Sequence, residues 1–241
     1  MIAAAAALAA AALSASPAHL TLVGDAGTSV RVTNPGPVAL TVRVEATGLA
    51  LGARGKPRPT TRGAGTVPWL RLKPRGLTLG AGQTKAVSVS ARPPAGARPG
   101  DHAAVVLLAT APKVRGGVSI RIRIGVIVVV RVPGPGLVRR LGLLGLQVRR
   151  VGRARMFELA LENGGDVAER LRRRRVLVTL VRRGRTVARL RAAERILLPH
   201  SRGLDDVPYD GRLRGAVTAI VEVGSPRPGV AVLRRSFRLR L

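Results

Sequence analysis

Apolar residues occupy every second position through residues 29–46: Val30 and Val32, then Val38, Leu40, Val42 and Val44. A strand with one buried face requires that spacing, because successive side chains point to opposite sides of a sheet. Asn34-Pro35-Gly36-Pro37 separates the two runs. Proline there removes backbone donors and glycine tolerates positive φ, so the segment predicts a turn between two strands. Valine and threonine crowd a helix at χ1 but pack well on a pleated surface, which agrees with the pattern. The unit recurs more loosely at residues 156–181, where Phe157, Leu159 and Leu161 lead into Glu162-Asn163-Gly164-Gly165 and then the apolar run 176–181. Two sandwich domains, each built on such a pair, are expected.

The remaining periodic runs fit the same class. In the first half they lie at 20–23, 69–73, 77–79, 85–91, 102–110 and 118–132, and in the second at 143–151, 155–161, 186–191, 196–198, 216–223 and 230–241. Short strands at this spacing, divided by Gly and Pro and lacking helical periods, predict an all-β fold of two tandem immunoglobulin-like sandwiches. Pro133-Gly134-Pro135-Gly136 breaks any continuing strand, so the expected division is 19–132, a linker at 133–137, and 138–241. Residues 48–68 show no periodicity and read as one long loop, a length that is usually functional or mobile. Residues 171–175 read as a basic approach to the next strand. In the final run Arg235 falls on the apolar side, as inward charges near sheet edges do.

A chain of 241 residues with 46% hydrophobic content has enough apolar material for two cores. The formal net charge of +30 is spread along the chain: 17 basic and 3 acidic residues up to Gly136, then 25 basic and 9 acidic. Lys56, Lys73, Lys85 and Lys113 are the only lysines, and an arginine excess beside abundant Ala, Gly, Pro and Val is also what a GC-rich coding sequence yields. The absence of cysteine excludes disulfides, thiolate zinc sites and cysteine nucleophiles. Residues 1–13 are a nearly unbroken Ala/Leu run followed by Ser14-Ala15-Ser16-Pro17-Ala18, small residues of the kind a signal peptidase reads. Residues 1–18 are therefore expected to be a secretory signal, and the mature chain to lie outside the cytoplasm. The run is too short to span a bilayer, and Arg121, Arg123 and Arg131 interrupt the next most apolar stretch.

No catalytic constellation stands out. The histidines are His19, His102 and His200, and nothing in the spacing brings a serine, a histidine and a carboxylate together. Asp205, Asp206 and Asp210 lack the spacing of a calcium loop and read as a solvated turn. Residues 52–56 imitate a phosphate loop, but Ala50 and Pro57 stand where Gly and Ser/Thr are needed. No enzyme, cofactor or metal site is expected.

Trp69-Leu70-Arg71-Leu72-Lys73-Pro74, Leu77-Thr78-Leu79-Gly80-Ala81-Gly82, the stretch from Ala97 to Ala104, and Arg123-Ile124-Gly125-Val126 before Arg131-Val132-Pro133-Gly134 together resemble the actinobacterial branch of the DUF916 family. That family is similar to the WxL-interacting proteins of Gram-positive cell surfaces. The resemblance implies two immunoglobulin-like domains, export to the envelope, and binding rather than catalysis, with peptidoglycan met by the first domain and other proteins by the second.

Physical reasoning adds one candidate surface. The loop presents Arg54, Lys56, Arg58 and Arg62, and if Leu70 and Leu72 point inward, Trp69, Arg71 and Lys73 point outward. An exposed indole beside guanidinium groups can stack on a sugar while the charges meet carboxylate or phosphate. The expected function is thus a non-catalytic envelope scaffold contacting an anionic wall polymer, surface proteins, or both. The alternative is a periplasmic-type chaperone or assembly factor, which would show an unpaired sheet edge in the first domain. Nucleic acid is a weaker partner, since Trp69, Phe157, Tyr209 and Phe237 are too few for a stacking platform.

Overall fold

The computed structural model describes residues 12–61, 64–115, 118–152, 154–171, 175–211, 213–224 and 233–241. They form two compact units, Met1–Ala50 with Pro57–Pro135 and Leu51–Lys56 with Gly136–Leu241. The division falls inside the expected linker. The difference from the sequence reading is Leu51–Lys56, which belongs to the second unit.

The first unit holds β1 (Ser14–Ser16), β2 (His19–Val23), β3 (Gly27–Thr33), β4 (Leu40–Leu51, entering the second unit at its last residue) and β5 (Pro57–Thr60). A 3₁₀ helix (Ala64–Trp69) leads to β6 (Leu70–Lys73), β7 (Gly76–Leu79), β8 (Thr84–Ala91) and β9 (Gly100–Thr110). A small hairpin, β10 (Lys113–Arg115) and β11 (Val118–Ile120), precedes β12 (Arg123–Val132). One sheet runs β1-β3-β8-β6, and the other β2-β12-β9-β4-β5 with β7 also on β4. Their facing side chains, among them Val30, Val32, Val42, Leu79, Val87, Val89, Leu108 and Val128, make one valine- and leucine-rich core. Each such residue, fully buried, contributes about 1.5–3 kcal/mol.

Two corrections concern the first unit. Residues 14–16, expected to end a cleaved signal, form β1, paired antiparallel with β3 from Ser14↔Thr33 to Ser16↔Arg31, while residues 1–11 lie outside the described residues. The chain then changes sheets at Pro17, which has no N–H to give to a ladder, and β2 runs parallel to β12. The expected long loop contains β5 and the 3₁₀ helix. β5 is an edge strand, where prolines 57 and 59 are tolerated.

The second unit holds β13 (Leu141–Val151), β14 (Ala154–Asn163), β15 (Glu169–Leu171), β16 (Val176–Arg182), β17 (Arg185–Arg191), β18 (Arg195–Leu197), β19 (Ser201–Tyr209), β20 (Ala216–Val223) and β21 (Leu233–Arg240). One sheet is β13-β14-β19 and the other β17-β16-β20-β21, with β15 and β18 pairing beside them. Phe157, Leu159 and Leu161 meet Val178, Leu180 and Val221 in the core, and Tyr209 stands edge-on to Phe157 at 6.0 Å between centroids. Both units are immunoglobulin-like β-sandwiches, and no α-helix occurs among the described residues.

β19 corrects the reading of Asp205 and Asp206 as a solvated turn. Gly203, Asp205, Val207 and Tyr209 share its buried side, and the carboxylate at one of these positions hides the alternation. Arg172–Arg174 lie outside the described residues, but Arg175 is no solvated flank: its guanidinium is largely buried, donates to Gly224 O at 2.6 Å and lies 3.6 Å from Glu169. Arg235 does sit on the inward side of edge strand β21. It covers the Phe237 ring at 5.4 Å and donates to Leu143 O and Leu144 O, at the bulge where β13 shifts register against β14.

The turn that suggested the repeat closes each sandwich in the same way. Asn34 is fully buried; its Nδ2 donates to Val38 O (2.8 Å), Leu79 O (3.2 Å) and Gly80 O (2.9 Å), and its Oδ1 accepts from Gly36 N (3.1 Å). Asn163 repeats this with Val167 O (2.9 Å), Leu197 O (3.1 Å) and Gly165 N (3.1 Å). Truncating either amide leaves buried carbonyls unpaired, at about 1–3 kcal/mol each. Urea unfolding of Asn34→Ala and Asn163→Ala is therefore expected to show losses of about 2–4 kcal/mol each, several times that of an exposed control such as Ser88→Ala.

Candidate functional site

β12 carries the feature with the plainest capacity for recognition. Its even positions form one row, in which Val126, Val128 and Val130 are fully buried and Ile124 is half-buried against the core; before the strand begins Ile122 is half-buried, and Ile120, on β11 and paired there with Lys113, is 54% exposed. The row thus climbs out of the core into solvent. β9 pairs with all ten residues of β12, from Arg123↔Ala109 to Val132↔Gly100. On the other side β2 covers only Ile127 to Arg131. Residues 123–126 therefore have a strand neighbour on one side alone among the described residues, because the chain spends residues 14–16 on the opposite sheet.

Hydrogen bonding fixes which groups face outward. Thr110 N donates to Ile122 O at 3.0 Å, so Ile122, Ile124 and Val126 bond toward β9. The odd residues bond the other way, as shown where Ile127 N meets Ala18 O at 3.0 Å. Arg123 and Gly125 accordingly present their N–H and C=O groups to the open side. The flanking side chains Arg121 and Arg123 are exposed, and Arg121 Nε donates to Thr110 O at 3.2 Å.

The described residues among those singled out from sequence are spread over several elements. Leu70 and Leu72 do point inward, and Arg71 and Lys73 are exposed on β6. Trp69, however, ends the 3₁₀ helix instead of beginning the strand; it is half-buried against the core, with the His102 ring edge-on at 4.8 Å. Arg71 turns back to donate to Pro68 O at 2.9 Å. Lys56 and Arg58 are exposed, and Arg62 lies outside the described residues. Arg54 belongs to the second unit, where its guanidinium bonds Glu158 and, at 2.9 Å, Asp206.

That ion pair is part of a charged cluster around β19. Gln147 Nε2 also holds Glu158, at 2.5 Å, and Asp206 and Glu158 hold Arg54 more firmly in its charged form. Arg195 donates to Leu204 O and to Ala53 O (3.0 Å), and Leu204 N donates to Ala53 O (2.7 Å), so this arginine fastens Leu51–Lys56 to β19. Asp205 lies beneath with one carboxylate oxygen unpaired among the described residues. Burial pushes its pKa up to about 6, against the attraction of Arg195 and with the repulsion of Asp206.

The histidines and serines considered for catalysis go elsewhere. His102 Nε2 bonds Arg98 O at 2.8 Å, and the neighbouring Asp101 is taken by both guanidinium nitrogens of Arg131, at 2.6 and 2.7 Å. His200 faces Asp166 at 3.3 Å, while Ser201 Oγ donates to Leu198 O at 2.6 Å. Among the described residues no three His, Cys, Asp or Glu side chains are grouped to hold a metal.

No family model matches the chain, and no curated protein matches it. Among solved structures it is similar to the YadV chaperone (14% identity, 94% of this chain and 99% of that one, TM-score 0.49). It is also similar to the CsuC–CsuE chaperone and tip subunit pre-assembly complex of Acinetobacter baumannii (14%, 94% and 98%, 0.46) and to the periplasmic chaperone SfaE (11%, 94% and 98%, 0.46). The expected wall-polymer scaffold is corrected. The stacking surface meant for the polymer is not formed, because Trp69 packs against the core and the His102 ring.

Asp205 yields a test of the cluster. A carboxyl whose folded pKa is raised from 3.8 to about 6 binds its proton more readily in the folded state, so it favours folding below pH 4 and that contribution is lost as pH rises through 6. The full effect is on the order of 2–3 kcal/mol. Asp205→Asn is expected to stabilise the protein at pH 8 relative to the parent, with the difference shrinking toward pH 4.5, as read from paired urea titrations.

Proposed function

We propose that this protein is a non-catalytic assembly factor acting outside the cytoplasm, which receives β-rich partner proteins by strand addition at residues 120–126. The observation that carries this reading is the half-covered β12, where outward-facing backbone groups of Arg123 and Gly125 coincide with an apolar row leaving the core. A partner strand laid there gains backbone hydrogen bonds for affinity and uses alternate side chains for specificity. Covering Ile120 and Ile122 adds the burial of two large aliphatic groups, each worth about 1.5 kcal/mol or more when fully buried.

The arginines keep the edge from pairing with itself. Two antiparallel copies of residues 120–126 set Arg123 directly opposite Arg123, with Arg121 of each strand two positions away, and like charges directly opposite are destabilising. A strand alternating aliphatic and acidic residues removes that repulsion, so the favoured partner is a different chain with that pattern.

Arg123→Pro tests the proposal with little disturbance to the fold, because proline removes only a donor that faces away from β9. A photo-cross-linking residue at Ile122, used in the source organism, is expected to give an adduct with an exported β-rich protein, joined through a strand-forming segment. Introducing Arg123→Pro into that protein should lower its yield at least tenfold while the melting temperature moves by only a few degrees. Unchanged adducts, or adducts joined through helical segments, would sink the proposal.

A further inference from the structure

The outer face of β17-β16-β20-β21 is not uniformly polar. On the two inner strands the outward residues are Leu177, Thr179 and Val181 on β16 and Thr218, Ile220 and Glu222 on β20, since their alternates Val176, Val178, Leu180, Val217, Ala219, Val221 and Val223 are buried. Register places Leu177 beside Glu222, Thr179 beside Ile220, and Val181 beside Thr218. Leu177, Ile220 and Val181, all half-buried, therefore form a diagonal aliphatic strip along the middle of the outward face, interleaved with Glu222, Thr179 and Thr218.

Arginines flank this strip on both sides. Arg189 and Arg191 on β17 stand opposite Thr179 and Leu177, and Arg234, Arg238 and Arg240 on β21 stand opposite Glu222, Thr218 and Ala216. All five are exposed. Glu222 is the one carboxylate at these paired positions, and it lies 3.6 Å from Arg234. At one end of the strip the β16–β17 hairpin adds Arg182, Arg183 and Arg185, with Val187 exposed beside the register shift between Leu180 and Val181.

From this arrangement we infer that the face docks on an anionic phospholipid bilayer, the aliphatic strip entering the headgroup boundary while the arginine columns meet lipid phosphates on either side. Cationic side chains near an anionic surface are each attracted to it, and aliphatic groups at the boundary gain burial as well. A nucleic-acid backbone satisfies the arginines but gives the strip nothing to bury in, and no aromatic ring stands on the face for a base to stack on. This reaches beyond strand addition: it supplies the same molecule with a place to work, at a membrane surface, through a different unit.

Co-sedimentation of the full chain with vesicles tests the inference. Vesicles of 30% phosphatidylglycerol in phosphatidylcholine should retain the protein, and pure phosphatidylcholine should retain it at least tenfold less. Reversing two charges in Arg189→Glu/Arg238→Glu should weaken binding to the anionic vesicles at least tenfold, whereas Arg31→Glu/Lys85→Glu, the same charge change in the first unit, should weaken it less than threefold. Ile220→Ser should weaken vesicle binding severalfold and leave binding to a 20-base-pair DNA duplex unchanged. Equal losses in the two charge-reversal proteins, or equal effects of Ile220→Ser on vesicles and DNA, would overturn it. Circular dichroism of each variant separates loss of binding from loss of fold.

Discussion

A carboxamide buried in a core of valine and leucine is the constraint from which each unit is built. Aliphatic packing is nearly indifferent to a slip along the strand, whereas Asn34 can satisfy its amide and the carbonyls of Leu79 and Gly80 in one register only. Asn163 plays the same part toward Leu197. In both units the asparagine stands where the chain leaves a strand for a tight turn, its Oδ1 accepting from the backbone two residues on, so the turn and the link to a distant strand are set by one side chain. Losing such a group removes direction as well as energy, because its partners are left without donors where water does not reach.

Much of this was legible from residue order. The two-residue period identified most strands, and Asn-Pro-Gly-Pro with Asn-Gly-Gly marked the repeat. What stayed hidden follows from chemistry that violates the period. β19 escaped because Asp205 occupies an inward position, a placement tolerable only beside Arg195 and with a raised pKa. β5 escaped because prolines 57 and 59 mask a strand that needs no donors on its free side. Trp69 was assigned to the outer face by extending the β6 alternation one residue too far, into a 3₁₀ turn that rotates the ring toward His102. The row from Ile120 to Val130 was present in the sequence; which half of it lacks a neighbour depends on β1 joining the far sheet, a long-range choice that local pattern does not encode.

That choice creates a hazard as well as a use. An uncovered edge with an aliphatic row is a template for unwanted pairing, and natural sheets protect such edges with inward charges, bulges or proline. The second unit follows this practice at β21, where Arg235 turns inward to cap the carbonyls of the β13 bulge. At residues 123–126, which have a strand neighbour on one side alone among the described residues, the proposed protection is of another kind: the exposed Arg121 and Arg123 oppose self-association without capping the backbone groups of that side. An edge defended only against its own kind is selective by construction.

The net charge of +30 belongs to the same argument. Ten of the twelve side-chain carboxylates already stand within 4 Å of a basic side chain among the described residues. With 38 arginines against 12 side-chain carboxylates, most arginines cannot be paired one to one, and many of the described ones stand at exposed strand positions where their aliphatic stems cover the sheet and their heads reach water. A composition rich in arginine would produce that much without selection for any ligand. It does not by itself account for Leu177, Ile220 and Val181 alternating diagonally across the outward face of two central strands, between columns of that same arginine. Where aliphatic groups recur at outward positions between columns of arginine, the arrangement suits a surface that offers apolar burial and negative charge together.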